Sequence, residues 1–543
     1  MSRLGSIVGR LGLAARAITR GDLVTRGTAI RAAAQAYEAA SIGRRLGNWR
    51  PSGGGASWLA FANAEELRRR ERERVRNDVW ARTGLGRVVA SMIGTGIKPM
   101  SGHPDAGVRR YLHDSFAAWT DEAIEGGETD YYGWQSLVCR SAIEAGEALG
   151  QMLTVPLSEA DTVPLRLRGL EADHLPLHET RPLPNGNVLI AGIEIGRVAG
   201  GSRRRVAYHL LPEHPGEMPL FDHAGQTIRV PAEHVIHHYE PERLGQLRGV
   251  TPMCATLVRL FDLDEYEDAV RVRQKISAMF SGLITEGAGA APGPLGETGT
   301  DGVANQTDED GVPVVELEPG TFQKLQPGEQ VSTVNLPDVG ANQDRWLRQQ
   351  LLGVAAGQGL TYAQLTGDLS DVNFSSLRGG LLEVRRAWEQ RQHAFFAHQV
   401  CRPVWRRFLI DGVVSGRLDL PDFRRDLALY LKVDHVPQGW QWVDPKTEGE
   451  AEKNAIRSGL TSRRRLIMAR GFDPEQIDEE IAADNARADR LGLVLDSDPR
   501  HTANPGAGPG SKAGNGAGPD QSDDARGDDE RRDGGRKQRR EVA

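Results

Sequence analysis

The amino-acid sequence predicts a mixed α+β fold with more than one domain, and three patterns predict it. Leu377, Leu381, Val384, Trp388 and Phe395 recur at steps of four, three, four and seven, which is the spacing of an amphipathic helix. Over residues 151–240, short apolar pieces such as LTVPL, VLIAGIEI and RVAYHLL alternate with Pro, Gly and charged turns, the texture of strands. Leu257, Leu260, Phe261, Leu263, Tyr266, Val270, Ile276 and Phe280 cover more than one face of a helix, so that helix packs on several sides, against a core or against neighbouring copies. A chain of 543 residues, 39% of them hydrophobic, has enough apolar surface for more than one core.

Residues 1–50 form a basic arm, in which Arg3, Arg10, Arg16, Arg20, Arg26 and Arg31 punctuate an Ala/Gly/Leu stretch with almost no acid. The arm has the composition of a transit peptide or of a segment laid over another subunit. It lacks the unbroken apolar core of a secretory signal, and no apolar run is long enough to cross a bilayer. RPSGGGASW (Arg50 to Trp58) breaks any helix. EELRRRERERV (Glu65 to Val75) mixes Glu and Arg at helical spacing and predicts a solvated helix laced by ion pairs. The helix continues through Val79, Val88, Val89, Met92 and Ile93 until Gly94 and Gly96 stop it.

Two helices are predicted over 108–150, carrying Phe116, Trp119, Trp134, Leu137 and Ile143. After the strand-rich stretch, a helix is expected over 254–283, followed by an exposed insertion over 284–312 that is rich in Gly, Ala, Pro and Asp. VPVVELEP and FQKLQP read as short strands, and helix resumes from Gln343 to Val354. AAGQGLTYAQLTGDLSDVNFSS reads as a loop ending near Ser376, and a further helical block follows Pro403. Asp473, Pro474 and Gln476 supply an acidic N-cap, a proline at the first helical position and a capping-box glutamine for a helix to about Leu491. Residues 499–543 carry no large aliphatic side chain before Val542 and are expected to be disordered.

The chemistry-bearing motifs are missing. The net charge of -7 makes the chain no basic mat for a nucleic-acid backbone, so any contact with DNA is expected to be weak, local or sliding. The three cysteines, Cys139, Cys254 and Cys401, are far apart and outside any CxxC spacing, which argues against a disulfide scaffold or a thiolate zinc site. No GxxxxGK[ST], strand-borne GxGxxG, GxSxG or HExxH occurs, and Gly353, Gly357 and Gly359 fit no nucleotide loop. His234, His237 and His238, with Glu233 and Glu240, are the best metal candidates, and His174 and His178 are weaker ones. Val235 and Ile236 suggest a strand, where neighbours such as His237 and His238 point to opposite faces and cannot easily share one ion. Asp262, Asp264, Glu265, Glu267 and Asp268 form an acidic run inside a helix. Two-metal enzymes hold their ions with paired carboxylates, but this run reads as a solvated helix face. The expectation is a chain with no enzymatic activity, no metal and no cofactor.

Several segments, taken in order, nevertheless form a pattern. They are SIGRRLGNWRPSGG (Ser41 to Gly54), RNDVW (Arg76 to Trp80), IGTGIKP (Ile93 to Pro99) and HHYEPERLGQLRGVTPM (His237 to Met253). LEPGTFQKLQPGEQV (Leu317 to Val331), YAQLTGDLSDVNFSSLRGGLLEVRR (Tyr362 to Arg386) and WQWVDPKTEGEA (Trp440 to Ala451) follow. In this series the chain resembles the lambda-type family of tailed-phage portal proteins over roughly residues 40–490. It departs at Phe374, where the family commonly has Tyr, and in the acid-rich 284–312 stretch.

The resemblance implies a homo-oligomeric ring of about twelve subunits at one capsid vertex, through which double-stranded DNA is packaged and ejected without sequence specificity. It implies the terminase large subunit, major capsid or scaffold protein and a head-completion protein as partners. It also implies the virion as the location, with assembly in the host cytoplasm and no membrane.

For the chain itself the resemblance implies a mixed α/β wing over 51–253, a stem helix over 254–283 and a clip region with its insertion over 284–340. A second stem helix, a tunnel-loop candidate and the following helix would occupy 341–400. The rest of the wing and a mainly helical crown would occupy 401–498. The competing classes are another capsid-associated structural protein and, with less support, a hydrolase.

Chain order and motif place the tunnel loop within Gly359 to Ser376, buttressed by Leu377 to Val400. Its candidate residues are Thr366, Gly367, Asp368, Leu369, Ser370, Asp371, Asn373, Ser375 and Ser376. Gly367 and Asp368 mark a turn, and Asp371, Asn373, Ser375 and Ser376 offer short polar groups to cap the next helix. The competing reading is a solvent-side or intersubunit turn. A chain stopped at Asp498 is expected to form the same rings as the full chain by native mass spectrometry, because the missing tail has no apolar anchor.

Overall fold

The computed structural model describes residues 48, 50–197, 203–217, 226–279, 283–286, 306–307, 313–314, 329–332, 342–370, 372–440 and 444–493. The basic arm, most of the 284–340 stretch and the C-terminal tail lie outside these residues. The chain divides into two units, residues 1–473 and 474–543.

The first unit opens with two helices, α1 (Ala56–Asn77) and α2 (Val79–Met92), separated at Asp78. Asp78 ends one helix and starts the next, because its carboxylate accepts hydrogen bonds from the Trp80 and Ala81 amides. Gly94 and Gly96, both with positive φ, then turn the chain into strand β1 (Lys98–Ser101). Helices α3 (Ala106–Thr120) and α4 (Tyr131–Ala145) occupy the segment expected to hold two helices. Asp105 and Asp130 cap them through the Val108 and Gly133 amides. Phe116, Trp119, Trp134 and Ile143 are buried there, whereas Leu137 is 55% exposed.

The strand-rich stretch contains β2 (Glu147–Thr154), β3 (Leu165–Glu171), β4 (Arg181–Pro182), β5 (Val188–Ile190), β6 (Ile193–Arg197), β7 (Arg203–Leu210), β8 (Ile228–Pro231) and β9 (Val235–Tyr239). They form two antiparallel sheets, one in the order β3-β2-β9 and the other a meander from β4 to β8. Strand β2 separates two cores, as the two-residue period requires. Ala148 and Met152 join the large one and Leu149 the smaller one, where Ile193, Tyr208 and Leu210 lie.

Where β2 begins, the backbone of residues 248–251 crosses the turn after α4. Gly146 adopts φ 91°, and a Cβ there would overlap the Val250 and Thr251 backbone; a Cβ on Gly249 would overlap the Gly146 carbonyl. The two glycines flank the charged residues that this contact joins, Glu147 and Arg248, both fully buried. Arg248 Nε lies 2.9 Å from both Glu147 oxygens, and the Gly249 amide donates to Glu147 Oε2 at 3.0 Å. His237 Nε2 is 3.0 Å from the same carboxylate. The other Arg248 nitrogens donate to the Ala191 and Leu175 carbonyls, so each end of the pair is satisfied. Burial alone would raise the Glu147 carboxyl, but Arg248 and His237 hold it well below the ordinary carboxylate range.

The Glu/Arg-rich helix α1 departs from the solvated reading. Its outer face carries the expected Glu65–Arg69 and Glu66–Arg70 pairs. Its inner face buries Arg68 and Glu71, which are 3% and 2% exposed. Arg68 Nη1 meets Asp173 at 2.9 Å, and Arg72 reaches Asp173 at 2.8 Å. Charges at helical spacing look alike in sequence whether they face water or a second acidic element.

At Cys254 the long helix α5 (Cys254–Met279) begins, and its acidic run lies mostly on an exposed face, with Asp264 paired to Arg74 at 3.0 Å and Glu267 and Asp268 beside Arg271 at 3.5 and 3.9 Å. Four short strands follow, β10 (Leu283–Glu286), β11 (Gln306–Thr307), β12 (Pro313–Val314) and β13 (Glu329–Ser332), pairing as β10-β13 and β11-β12. FQKLQP lies outside the described residues. Helix α6 (Asn342–Gln358) then packs on α5, and its glycines explain themselves there. A Cβ on Gly353 or Gly357 would overlap Arg259 or Thr256 of the facing helix.

Short α7 (Tyr362–Thr366) and longer α8 (Phe374–Arg391) come next, and α8 runs without a stop through a π-helical turn (Gln392–Cys401) into α9 (Arg402–Val414). The separate block expected after Pro403 is therefore one continuous helix. A proline clashes with the carbonyl four residues earlier in an α-helix, and the wide π register upstream absorbs it. Phe116, Trp119, Tyr131, Trp405 and Phe408 build an aromatic cluster between α9, α3 and α4, with ring centroids such as Phe116–Phe408 at 5.0 Å.

Helix α10 (Leu427–Tyr430) leads to β14 (Val433–Val436), which pairs antiparallel with β1 from Lys98↔Val436 to Ser101↔Val433. Helices α11 (Pro445–Arg457) and α12 (Arg463–Ala469) complete the unit. Asp473 Oδ2 lies 2.8 Å from His113 Nδ1. The second unit contains α13 (Pro474–Leu491), with the proline start and C-terminal limit read from the sequence.

Glu71 Oε2 has no hydrogen-bond partner, and burial followed by Glu144 and Asp78 pushes this carboxyl up to about 8. A folded value above the unfolded one gives stability that is complete below pH ~4.5 and lost as pH rises through about 8. Glu71→Gln keeps the shape and removes the ionisation. It is expected to be about 1–3 kcal/mol more stable than the parent at pH 9, with a smaller difference at pH 5, by urea titration at the two values.

Candidate channel loop

The segment read as a loop is built around a helix. Helix α6 buries Leu351, Val354 and Ala355, and the chain turns at Gly359, whose φ of 72° needs no Cβ. Leu360 and Leu365 then bury α7 against the same core as Trp388 of α8. Thr361 and Gln364 form a capping box, with the Gln364 amide donating to Thr361 Oγ1 at 3.2 Å and the Thr361 amide to Gln364 Oε1 at 2.9 Å. The expected loop is thereby shortened to the span between α7 and α8.

Within that span each end is pinned. Thr366 Oγ1 donates to the Tyr362 carbonyl at 2.9 Å and accepts from the Asp368 amide at 3.1 Å. Gly367 closes α7 with φ 74°, as the Gly-Asp pair suggested. Asp368 Oδ1 accepts from the Ser370 hydroxyl at 2.6 Å and from its amide at 2.9 Å, bonds that hold this carboxyl below its ordinary range. Asn373 is the N-cap of α8, accepting from the Ser376 amide at 2.8 Å, while Ser376 Oγ donates to the Asn373 carbonyl at 2.9 Å. Ser375 is exposed in the first turn of α8, and Asp371 lies outside the described residues. Leu369 stands between the two pinned ends with its side chain 58% exposed.

Helix α8 and the π-helical turn are anchored in their turn. Arg391 donates to Glu240 at 2.7 Å and lies over the Trp388 ring at 4.9 Å, and Arg378 pairs with Glu448 at 3.2 Å. Gln399, from the π-helical turn, accepts from His238 Nδ1 at 2.8 Å and from the Tyr239 amide at 3.0 Å. Loop, helix and sheet thus form one supported path.

The other candidates separate. His237 faces Glu147 and His238 faces Gln399, on opposite sides of β9 as strand geometry demands, so the histidine cluster is not brought together. Among the described residues a different trio, Glu171, Asp173 and His214, places its ligand atoms within 4.8 Å of one another. Neither Glu171 nor Asp173 stood out in the sequence, and His214 lies far from both along the chain. Arg68 and Arg72 already neutralise Asp173. Cys139 and Cys401 are buried, and burial raises both thiols to about 12, which makes them inert. Among the described residues no helix is long and apolar enough to cross a membrane.

A family model described as phage portal protein, lambda family, matches residues 42–392. The chain belongs to that family. A lambda-family portal protein is a structural, non-catalytic connector subunit that forms a ring at the head-to-tail junction, and its place is the virion. The probable portal protein of Halomonas phage phiHAP-1 is 26% identical over 465 residues, covering 83% of this chain and 86% of that one. Portal protein B of Escherichia phage lambda is 21% identical over 257 residues, covering 45% of this chain and 48% of the relative. A solved structure of the neck of a native GTA particle, computed with C12 symmetry, has a TM-score of 0.40 at 12% identity, covering 77% of this chain and 99% of that one.

Asn373→Ala removes the α8 N-cap and is expected to cost about 1 kcal/mol locally. Amide exchange over residues 374–376 should be roughly fivefold faster, with the amides of α9 unchanged.

Proposed function

We propose that the span Thr366, Gly367, Asp368, Leu369, Ser370, Asp371, Asn373, Ser375 and Ser376 faces the ring's axis and narrows the passage for double-stranded DNA. The observation that carries this reading is a short span tied by side-chain hydrogen bonds at both ends, with one exposed apolar residue, Leu369, between them. The span contains no Lys or Arg, so the phosphate backbone meets no cation that would grip it, and DNA slides. The support from α8 and β9 resists the load of a passing duplex.

In the same reading residues 51–253 form the wing, 254–283 and the helical start of 341–400 the stem, and 284–340 the clip. Residues 401–498 complete the wing and crown. The ring contains about twelve copies. The terminase large subunit docks on it during packaging, a capsid or scaffold protein surrounds it, and a head-completion protein follows. The exposed apolar residues Val258, Phe261 and Val272 on α5 support contact between copies, since a heterologous contact that closes makes a ring.

Replacing Leu369 to Val372 with Gly-Ser-Gly-Ser separates the loop from the ring. Rings are expected to persist in electron micrographs while packaging or retention of DNA fails. Dissociated rings would make the span an intersubunit clamp, and normal packaging with normal retention ends the tunnel reading.

A further inference from the structure

A second concave surface lies between β14, the π-helical turn and α12, with a volume of about 1000 Å³. Two of its lining residues are buried and incompletely bonded. His435 is 7% exposed, and neither ring nitrogen has a hydrogen-bond partner. Gln392 is 3% exposed; its amide nitrogen donates to the Met92 carbonyl at 2.9 Å, but its Oε1 has no donor. Folded proteins rarely leave such atoms without partners.

The surrounding side chains define what would satisfy them. Arg402, Arg464 and Arg465 line the same cavity, as do Trp440, Leu460 and Met468. Two carboxylates also line it. Glu389 is engaged by Trp440 Nε1 at 3.2 Å, and Asp434 stands on β14 beside His435. Burial, then Arg402 and His393, pushes His435 down to about 4, so its ring is neutral near pH 7 and offers one N–H and one lone pair. The cavity therefore asks for donors as well as acceptors. A phosphodiester chain brings acceptors only, so it leaves Gln392 Oε1 and the imidazole lone pair unmet. An extended peptide brings an N–H and a carbonyl at every residue, and its Asp or Glu side chains match a guanidinium rim.

We infer that this cavity is a docking site for an extended acidic segment of another protein, whose backbone meets Gln392 and His435 and whose carboxylates meet Arg402, Arg464 and Arg465. The apolar wall of Trp440, Leu460 and Met468 takes the methylenes of its side chains. The site is independent of the role given to the Thr366–Ser376 span.

The test uses the intact full chain, with fluorescence anisotropy of labelled poly-L-glutamate at moderate salt. Polyacrylate, which carries carboxylates without backbone amides, and mixed-sequence duplex DNA serve as competitors at equal charge. Saturable binding is expected, with both competitors much weaker than unlabelled polyglutamate. Arg465→Glu, at an exposed position, should weaken binding about tenfold or more. His435→Phe should do likewise, while His435→Gln, which keeps a donor and an acceptor, should restore it.

Protonation would remove the lone pair that accepts from the peptide, and burial keeps the imidazole neutral above pH 6, so affinity should be steady from pH 8 to pH 6 in the parent and in His435→Gln alike. The charged groups around the imidazole are Asp434 on its own strand, His393 and Arg402 along the facing helix, Glu389 on α8, and Arg464 and Arg465 on α12. Equal competition by polyacrylate or DNA would reduce the site to a patch of positive charge and overturn the inference. So would an unaltered affinity in Arg465→Glu, or no saturable binding at all.

Discussion

The pairing of Glu147 with Arg248 is the constraint on which the rest of the first unit depends. Neither charge has access to water, so each requires the other and every remaining polar atom nearby. Satisfying them draws together the end of α4, the start of β2, the His237 ring of β9 and the carbonyls of Leu175 and Ala191. Removing one partner would strand a buried charge, at about 3–5 kcal/mol. The two glycines beside the pair are part of the same arrangement, because only without Cβ atoms do the two backbones come close enough. Arg68 of α1 stands 3.5 Å from Glu147, so the first helix is held to the same point. Two cores, one on each face of β2, are thus locked in a fixed relation by a single charged contact.

The π-helical turn has a comparable role in the second half of the chain. By carrying the helix past Pro403 it joins α8, which supports the span after α7, to α9, which holds the aromatic cluster. Its side chains work on several sides: Gln392 reaches the carbonyl at the end of α2, Gln399 reaches β9, and Phe396 and Val400 are buried. A displacement of α8 is therefore passed to both the sheet and the cavity around His435 through one continuous helix.

Much of the fold was legible where a local signal decided the outcome. The steps between Leu377 and Phe395 marked α8, the Asp-Pro pair marked the start of α13, and Gly94 and Gly96 marked the end of α2. The opposite orientation of His237 and His238 followed from strand geometry alone. The family followed from the order of segments, and the turn at Gly367 and Asp368 and the cap at Asn373 followed from their residue types. What was not legible depended on partners distant in the chain. Arg68 and Glu71 read as surface charges because Asp173 and Glu144 are invisible to a local pattern. Helix α7 was hidden in a polar, Gly-containing stretch, since what holds it is the burial of Leu365 in the same core as Trp388. The Glu147–Arg248 pair and the His435 cavity had no local mark at all.

Strand β14 completes its sheet with β1, pairing Val436 with Lys98. A ribosome must therefore add everything between these residues before the first strand has its only partner among the described residues. At ordinary rates of synthesis that wait lasts tens of seconds. Throughout it, the β1 backbone is an open edge, able to attract any extended chain nearby. Late closure sets an order of events: the helices and sheets between the two strands can form while the chain is still being made, and β1 is paired only once Val436 has emerged.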